Sequence, residues 1–288
     1  MQKIKEFIIE KFIFICGIAS IFFVVLIFLF LLKEGLAVFK FVKPLEFLLG
    51  KNWYPISEPA QLGILPLVLG SLLVTLGAAV ISIPIGVGCA IYIAEIAPLK
   101  IKETLKAGIE LLAAIPSVVL GFIGMVTLVP LVKNIFHLPT GLTALSGSIM
   151  LAFMAMPTIV SIAEDALYSV PKNYKEGAFA LGATHWQTIW RVMLPAASSG
   201  ILAAVMLGIG RVIGETMAVM MITGNAAIMP NSILSPVRTL TATIAAEMGE
   251  AVVGSEHYFA LFAIGIVLFV ISFIINVTAD LFLHKDQK

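Results

Sequence analysis

Two charged residues stand in a segment that is otherwise as apolar as a membrane span. In LGIGRVIGETMAVMMITG, residues 207–224, Arg211 and Glu215 are four positions apart. On a helix, residues at this spacing lie on one face and contact each other. An arginine at the centre of a membrane costs about 2.5–3.5 kcal/mol, whereas a helical ion pair in water returns only about 0.2–0.5 kcal/mol. Stability alone therefore does not explain the pair.

Two interpretations of this charged pair remain open. In the first, the two side chains neutralise each other against a neighbouring helix. In the second, Arg211, Glu215 and the adjacent Thr216 line a pathway for an anion. The planar guanidinium of arginine can donate two hydrogen bonds to an oxyanion and stays charged at every relevant pH. Glu215 would share Arg211 and so weaken its hold on the passing anion.

The composition identifies the surroundings of this segment. Hydrophobic residues make up 60% of the 288 residues, charged residues only 12%, and the mean hydropathy is +1.08. A water-soluble domain of this length does not have such values. The apolar runs are continuous, unlike the alternating strands of an outer-membrane barrel. The sequence therefore predicts an all-α integral membrane protein.

Six apolar runs are long enough to cross a hydrocarbon layer of about 30 Å, which takes about 20 helical residues. They lie at residues 12–32, 62–94, 107–132, 141–163, 196–224 and 258–283. The first run could also be a secretory signal peptide, since lysines precede it, but it is too long and no clear cleavage site follows. We therefore expect six transmembrane helices, the first with its outer loop in residues 1–61 and the other five in a core at 62–288.

The distribution of lysine and arginine predicts the orientation. One side collects Lys3, Lys5, Lys11, Lys100, Lys102, Lys106, Lys172, Lys175, Arg191, Lys285 and Lys288. The other side collects Lys33, Lys40, Lys43, Lys51, Lys133 and Arg238. Because cytoplasmic loops carry the excess of positive residues, both termini are predicted to be cytoplasmic.

Several features predict how the spans are arranged. The first outer loop should contain a short amphipathic helix, with Trp53 and Tyr54 as anchors at the membrane interface. Proline at positions 84, 116 and 157 should interrupt the second, third and fourth spans. The second span has a face of small residues that should pack against protein: Ser71, Thr75, Ala78, Ala79, Ser82, Gly86 and Gly88.

The longest polar segment on the inner side, at about residues 164–195, predicts a helix-turn-helix. Apolar residues have helical spacing on both sides of Gly182, and a glycine allows a sharp turn between two short helices. The two helices could lie on the lipid headgroups or could form a docking surface for another protein. His185 could act as a pH sensor, although a polar contact is the simpler role.

Within that segment, EGAFALGATHWQTIWRVMLP at residues 176–195 resembles the inner-loop signature of ABC importer permeases. The match consists of Glu176, Ala178, Gly182, Val192, Leu194 and Pro195, and Gly177 stands where alanine is usual. The resemblance implies coupling helices that contact an ATP-binding subunit. The residues expected near that contact are Glu176, Ala178, Ala180, Leu181, Gly182, Ala183 and His185.

The chain contains no G-x-x-x-x-G-K-[ST] sequence that could hold a nucleotide, so the chain itself is not predicted to be an enzyme. ATP and Mg²⁺ are expected on the partner ATPase, with no cofactor in this chain and no nucleic-acid partner. A secondary transporter would also place charges within the membrane, but it would not need the inner-loop signature.

Further segments resemble the phosphate-specific branch of these permeases, of the PstC type: AAIPSVVLGFIGM (113–125), GRVIGETMAVMMITGN (210–225) and SPVRTLTATIAAEMGEA (235–251). WYPISEPAQLGILPLVLGSL (53–72) matches more loosely, with Tyr54 where asparagine is usual. In the outer loop, Arg238, Thr241 and Glu247 are candidates for contact with a binding protein or substrate, although loop charges are more often simply solvated. Permeases for sulfate, molybdate or phosphonate remain alternatives.

That resemblance implies a type I ABC importer permease fold in a prokaryotic inner membrane, surrounded by lipid. It also implies the partners: a homologous PstA-like permease, two PstB-like ATP-binding subunits beneath, and an extracytoplasmic PstS-like phosphate-binding protein.

Overall fold

Helices provide nearly all the regular structure in residues 2–285, which are the residues that the computed structural model describes. They are α1 (Gln2–Gly35), α2 (Pro44–Leu49), α3 (Leu65–Ile91), α4 (Leu99–Ala114), α5 (Ser117–Ile123), α6 (Val129–Ile135), α7 (Ala144–Ser169), α8 (Lys172–Ala180), α9 (His185–Thr188), α10 (Leu194–Ala196), α11 (Ser198–Ile213), α12 (Met217–Ile222), α13 (Leu240–Glu247) and α14 (Glu256–Lys285). Strands β1 (Trp53–Tyr54) and β2 (Gln61–Leu62) pair antiparallel. A 3₁₀ turn at Leu36–Lys40 follows α1, and π-helical turns at Tyr92–Ile96, Gly124–Leu128 and Ile189–Met193 extend or join neighbouring helices.

Five helical segments of the described chain are long and apolar enough to cross a membrane. They are Ile9–Lys40, Leu65–Ile96, Ser117–Ile135, Ala144–Ser169 and Glu256–Thr278. A sixth is reached if His185–Ala196 and Ser198–Ile213, which are bent by 71°, count as one broken span. The predicted all-α membrane fold is confirmed, with five spans or six. The cytoplasmic location of the termini stays a prediction.

Helices α3 and α11 both pack against Ile159 of α7, which is fully buried. A Cβ atom on Gly86 of α3 would lie 2.9 Å from Ile159 Cγ2, and one on Gly208 of α11 would lie 2.5 Å from Ile159 Cγ1. Real Cβ atoms essentially never make contacts this short. Small residues let membrane helices pack closely where lipid supplies no hydrophobic drive. Ile159 is therefore one of the contacts that set the spacing of α3, α7 and α11.

The predicted small-residue face of the second span is confirmed in part. Ala78, Ser82 and Gly86 are buried in α3, as expected for a face that packs against protein. Gly88 differs, because nothing lies within 4 Å of a Cβ atom placed there. Ala90, four residues after Gly86, is fully buried, so Gly88 lies off this face.

The prolines act differently from one another. Pro84 and Pro157 lie inside the continuous helices α3 and α7, so the prediction that they interrupt their spans is wrong. Pro116 separates α4 from α5, and Ile115 before it is extended at φ −69° and ψ 127°. A proline disfavours the helical conformation of the preceding residue. The third crossing segment therefore begins at Ser117 instead of residue 107.

The first outer loop contains the expected short helix, α2, and then the β1–β2 hairpin. Trp53 of β1 is only 2% exposed, so its predicted place at the membrane interface is wrong. Its indole N–H donates to the carboxylate of Glu247, which lies 194 residues later in the chain. A long-range polar contact therefore holds this tryptophan inside the protein.

Candidate functional site

The predicted fifth span is broken where its charged residues lie. Helix α11 ends at Ile213, and α12 begins at Met217 after a break at residues 214–216. Glu215 Oε1 accepts a hydrogen bond from the backbone N–H of Ala218 at 3.2 Å. This bond satisfies one of the free N–H groups at the start of α12. Glu215 therefore starts a new helix and does not continue the old one.

Because of this break, the predicted Arg211–Glu215 pair on one helix face is wrong. The i, i+4 relationship holds only within one continuous helix. Arg211 Nη1 donates instead to Thr158 Oγ1 of α7, at 3.3 Å. Across residues 9–278, whose side chains the structure describes, no carboxylate lies within 4.0 Å of the Arg211 guanidinium. Mutual neutralisation of the two residues is therefore absent from this structure.

Arg211 is exposed and permanently charged, since a guanidinium does not lose its proton in proteins. It carries five N–H donors, and the contact with Thr158 takes one of them. The remaining donors suit a planar oxyanion. The chemistry that this site can perform is the transient binding of an anion.

The N-terminus of α13 reaches the same break. Thr241 Oγ1 donates to the backbone carbonyl of Glu215 at 2.9 Å, and it lies 3.1 Å from Thr239 Oγ1. Ser71 of α3 accepts from the backbone N–H of Leu240 at 2.9 Å. Thr241, predicted in the outer loop, therefore lies beside Glu215. Thr216 completes the group, with its hydroxyl donating to Gly214 O at 3.2 Å.

The other two outer-loop candidates are paired with each other. Glu247 forms an ion pair with Arg238 Nη1, lies 2.9 Å from His257 Nε2, and accepts from Trp53 Nε1 at 3.1 Å. Arg238 also donates from Nε to the backbone carbonyl of Asn225 at 3.0 Å. One carboxylate thus joins β1, α13, α14 and the loop before α13. The default interpretation of Glu247 as a solvated charge is wrong.

Sequence reasoning missed His257 and the structural role of Trp53 in this network. Glu247 is 194 residues from Trp53 and 10 residues from His257 in the chain. No local sequence pattern could therefore have identified these contacts. A cleft of about 570 Å³ opens beside the network. Its lining includes Tyr54, Ile56, Ile228 and Glu250. Ile56 is 85% exposed, so the cleft has an apolar rim.

The inner loop has the predicted helix-turn-helix. Helices α8 and α9 meet at Gly182, which has a φ of +81°. This left-handed conformation favours glycine. Across the turn, the backbone N–H of Ala183 donates to Ala178 O at 3.0 Å. Thr184 and Gln187 then form a capping box at the start of α9.

The side chains predicted to contact a partner lie mostly on the surface of this turn. Ala183 is half-buried and Ala178 is buried, so Ala178 packs within the hairpin. Exposed members of the predicted set are Glu176, Ala180, Leu181, Gly182 and His185. The Leu181 side chain is 91% exposed, and the His185 ring stacks on Phe179 at 6.2 Å between centroids. The turn therefore presents an apolar tip.

Charged contacts join this end of the molecule to the membrane helices. The carboxylate of Glu164, near the end of α7, is buried and lies 3.8 Å from Lys102 Nζ and 3.5 Å from Lys106 Nζ of α4. Lys102 also lies 3.6 Å from the centroid of the Tyr168 ring. Helix α4 has no fully buried residue, and these contacts hold it against α7 together with Ile109, which packs against the cluster that contains Val160 and Ala163.

Comparison with known proteins places this geometry in a family. Residues 82–285 match the family model described as binding-protein-dependent transport system inner membrane component. The chain is 43% identical to the probable ABC transporter permease protein YqgH of Bacillus subtilis, over 90% of this chain and 84% of that protein. It is 36% identical to the phosphate transport system permease protein PstC of Mesorhizobium japonicum, over 83% of this chain and 78% of that protein.

The fold is also similar to that of solved ABC transporters. An inward-facing MetNI methionine ABC transporter matches with a TM-score of 0.63 at 20% identity, over 81% of this chain and 100% of that chain. A bacterial alginate ABC transporter, in complex with an alginate pentasaccharide-bound periplasmic protein, matches with a TM-score of 0.65 at 14% identity, over 92% and 91%. These likenesses confirm the predicted permease fold. The chain belongs to the family of inner membrane components of binding-protein-dependent transport systems.

Proposed function

We propose that this chain is the permease subunit of an ATP-driven importer of inorganic phosphate. The observation that carries the proposal is Arg211, a permanent positive charge exposed on α11 with no carboxylate paired to it among residues 9–278, whose side chains the structure describes. Relatives named as phosphate transport permeases support phosphate as the anion. Membership of a binding-protein-dependent family favours an ATP-driven importer over a secondary transporter.

In this proposal, Arg211 binds phosphate briefly as it crosses. The weakness of the site comes from the exposure of Arg211, because water screens the attraction between charges. Glu215 and Thr216 line the same pathway through the polar break between α11 and α12. Glu215 has a different role from the one expected from its spacing, since its carboxylate caps α12.

The apolar tip of the inner loop is the proposed contact with the ATP-binding subunit. Leu181, Ala180 and His185 offer exposed surface, while Gly182 and Ala178 hold the turn in shape. Glu176 and Ala183 flank this surface. ATP and Mg²⁺ bind to the partner, and its closure is transmitted through α8 and α9 to the membrane helices.

The complete transporter would contain a homologous PstA-like permease and two PstB-like ATP-binding subunits. A PstS-like phosphate-binding protein would deliver phosphate at the outer side, beside the cleft next to Arg238 and Glu247. The inner loop and both termini would face the cytoplasm of a prokaryotic cell, with lipid around the helices.

The test is anion uptake by cells that lack this chain, grown at low phosphate, with the chain restored from a plasmid as control. We expect loss of radiolabelled phosphate uptake and its recovery on restoration, with sulfate, molybdate and phosphonate uptake unchanged. Loss of sulfate, molybdate or phosphonate uptake with normal phosphate uptake would contradict the proposal and favour another oxyanion.

A further inference from the structure

Thr158 of α7 contacts Arg211 where the proposed pathway lies. We propose that Thr158 is a positioning residue, which orients the Arg211 guanidinium so that its other N–H groups face the passing anion. The inference rests on the proposed function and adds a specific residue to the pathway. It assigns to one neutral hydroxyl a contribution to the translocation rate.

The first support is the way the two helices are held together. Thr158 immediately precedes Ile159, which fills the space against Gly208 of α11. Arg211 follows Gly208 by three residues, so the two lie on neighbouring positions of one helix face. The tight Ile159–Gly208 contact therefore fixes the distance between α7 and α11 where Thr158 Oγ1 meets Arg211 Nη1.

The second support is the use of the hydroxyl. Threonine within a helix commonly donates to the carbonyl of the preceding turn. Thr104, Thr127 and Thr278 do so here, at 2.9, 2.7 and 2.7 Å. Thr158 Oγ1 instead accepts a hydrogen bond from a side chain 53 residues away. The Thr158 hydroxyl thus forms a contact between α7 and α11.

The third support is the charge of the partner. A long arginine side chain has many rotamers and needs a partner to hold one of them. A carboxylate would hold it but would also neutralise the charge that attracts an anion. A hydroxyl orients the guanidinium by one bond and leaves its charge intact. Thr158 therefore supplies orientation without competing with phosphate.

The experiment measures phosphate uptake by the complete transporter carrying Thr158→Val, which removes the hydroxyl and nearly keeps the shape. We expect the maximal rate per assembled complex to fall by about two- to tenfold, the range for one lost hydrogen bond. The KM should stay unchanged if the binding protein captures phosphate first. Thr158→Ser keeps the hydroxyl and should recover at least half of the rate.

The matched control is Thr127→Val, because the Thr127 hydroxyl bonds its own helix at Ile123 O and is remote in the chain from Arg211. It should transport like the parent protein. If Thr158→Val reduces assembly with the ATPase, the uptake rates of Thr158→Ala and Thr158→Ser per assembled complex are compared instead.

Two outcomes would overturn the inference. In one, Thr158→Val or Thr158→Ala transports at the parent rate. In the other, Thr158→Ser is as slow as the variant without a hydroxyl. Arg211→Gln, tested alongside, distinguishes failure of the positioning role from failure of the proposed pathway. If it abolishes uptake while Thr158→Val does not slow it, only the positioning role fails; if it transports normally, the proposed pathway fails.

Discussion

Lys175, in the first helix of the inner loop, is ion-paired with Glu95, in the π-helical turn that follows α3. The Glu95 side chain is 7% exposed and that of Lys175 is 35% exposed. This contact joins the loop proposed to bind the ATPase directly to a helix of the packed core. We therefore expect a movement of α8 to be transmitted to α3 through this ion pair, in addition to the chain connection from α8 to α7.

Replacing Lys175 by alanine should weaken both stability and transport. Glu95 would keep a nearly buried charge without a partner, at a cost of about 1–3 kcal/mol in the free energy of unfolding. Thermal unfolding of the purified complex and phosphate uptake would measure the two effects. Lys172→Ala, three residues earlier on the same helix, is the control and should change neither. Equal melting temperatures for both variants would show that the pair contributes nothing.

Arg211→Gln should abolish phosphate uptake while membrane insertion and assembly with the ATPase survive. Glutamine is polar but shorter, and it lacks the permanent charge that the proposed anion site requires. Arg211→Lys keeps the charge without the planar fork and should retain part of the rate. Uptake and co-purification of the ATPase subunit are the measurements. Normal uptake by the glutamine variant would exclude a pathway role for Arg211.

Gly208→Val should destabilise the protein more than Gly210→Val by about 1–3 kcal/mol, the usual cost of overpacking. A Cβ atom at position 208 would lie 2.5 Å from Ile159 Cγ1, whereas nothing lies within 4 Å of one at position 210. Melting temperatures in detergent would compare the two. Adding Ile159→Ala to Gly208→Val should recover part of the loss. The same melting temperature for both valine variants would contradict this packing.

Leu181→Asp should reduce co-purification of the ATPase subunit at least tenfold, because a charge would replace the exposed apolar tip of the proposed contact. Its fold should be unaffected, since the side chain is 91% exposed. Val252→Asp is the matched control, at a side chain that is 74% exposed and lies between α13 and α14. Equal recovery of the ATPase with both variants would place the docking surface elsewhere.

The spans could be predicted from the sequence because each depends on a local property. A run of about 20 apolar residues has few alternatives to a membrane helix, and Gly182 identified the inner turn for the same local reason. The helix-turn-helix and the all-α fold followed directly from these patterns.

The details of the candidate site depend on contacts that local patterns do not contain. Hydropathy averaged over residues 196–224 conceals the break, because α11 ends at Ile213 and Glu215 starts α12 through a bond from Ala218 that propensity does not reveal. Trp53 is of a residue type that is typical of interface anchors, and only the fold brings it to Glu247. Thr158 carries no signal in the sequence at all.

The close fit of Ile159 against Gly86 and Gly208 also limits how this protein can change shape. A side chain locked between two glycines leaves little room for sliding, so α3, α7 and α11 should travel as one rigid body around it. Alternating exposure of the pathway must then come from movement at the margins of that body. The chain has such a margin at residues 214–216, where one helix ends and the next has not yet begun.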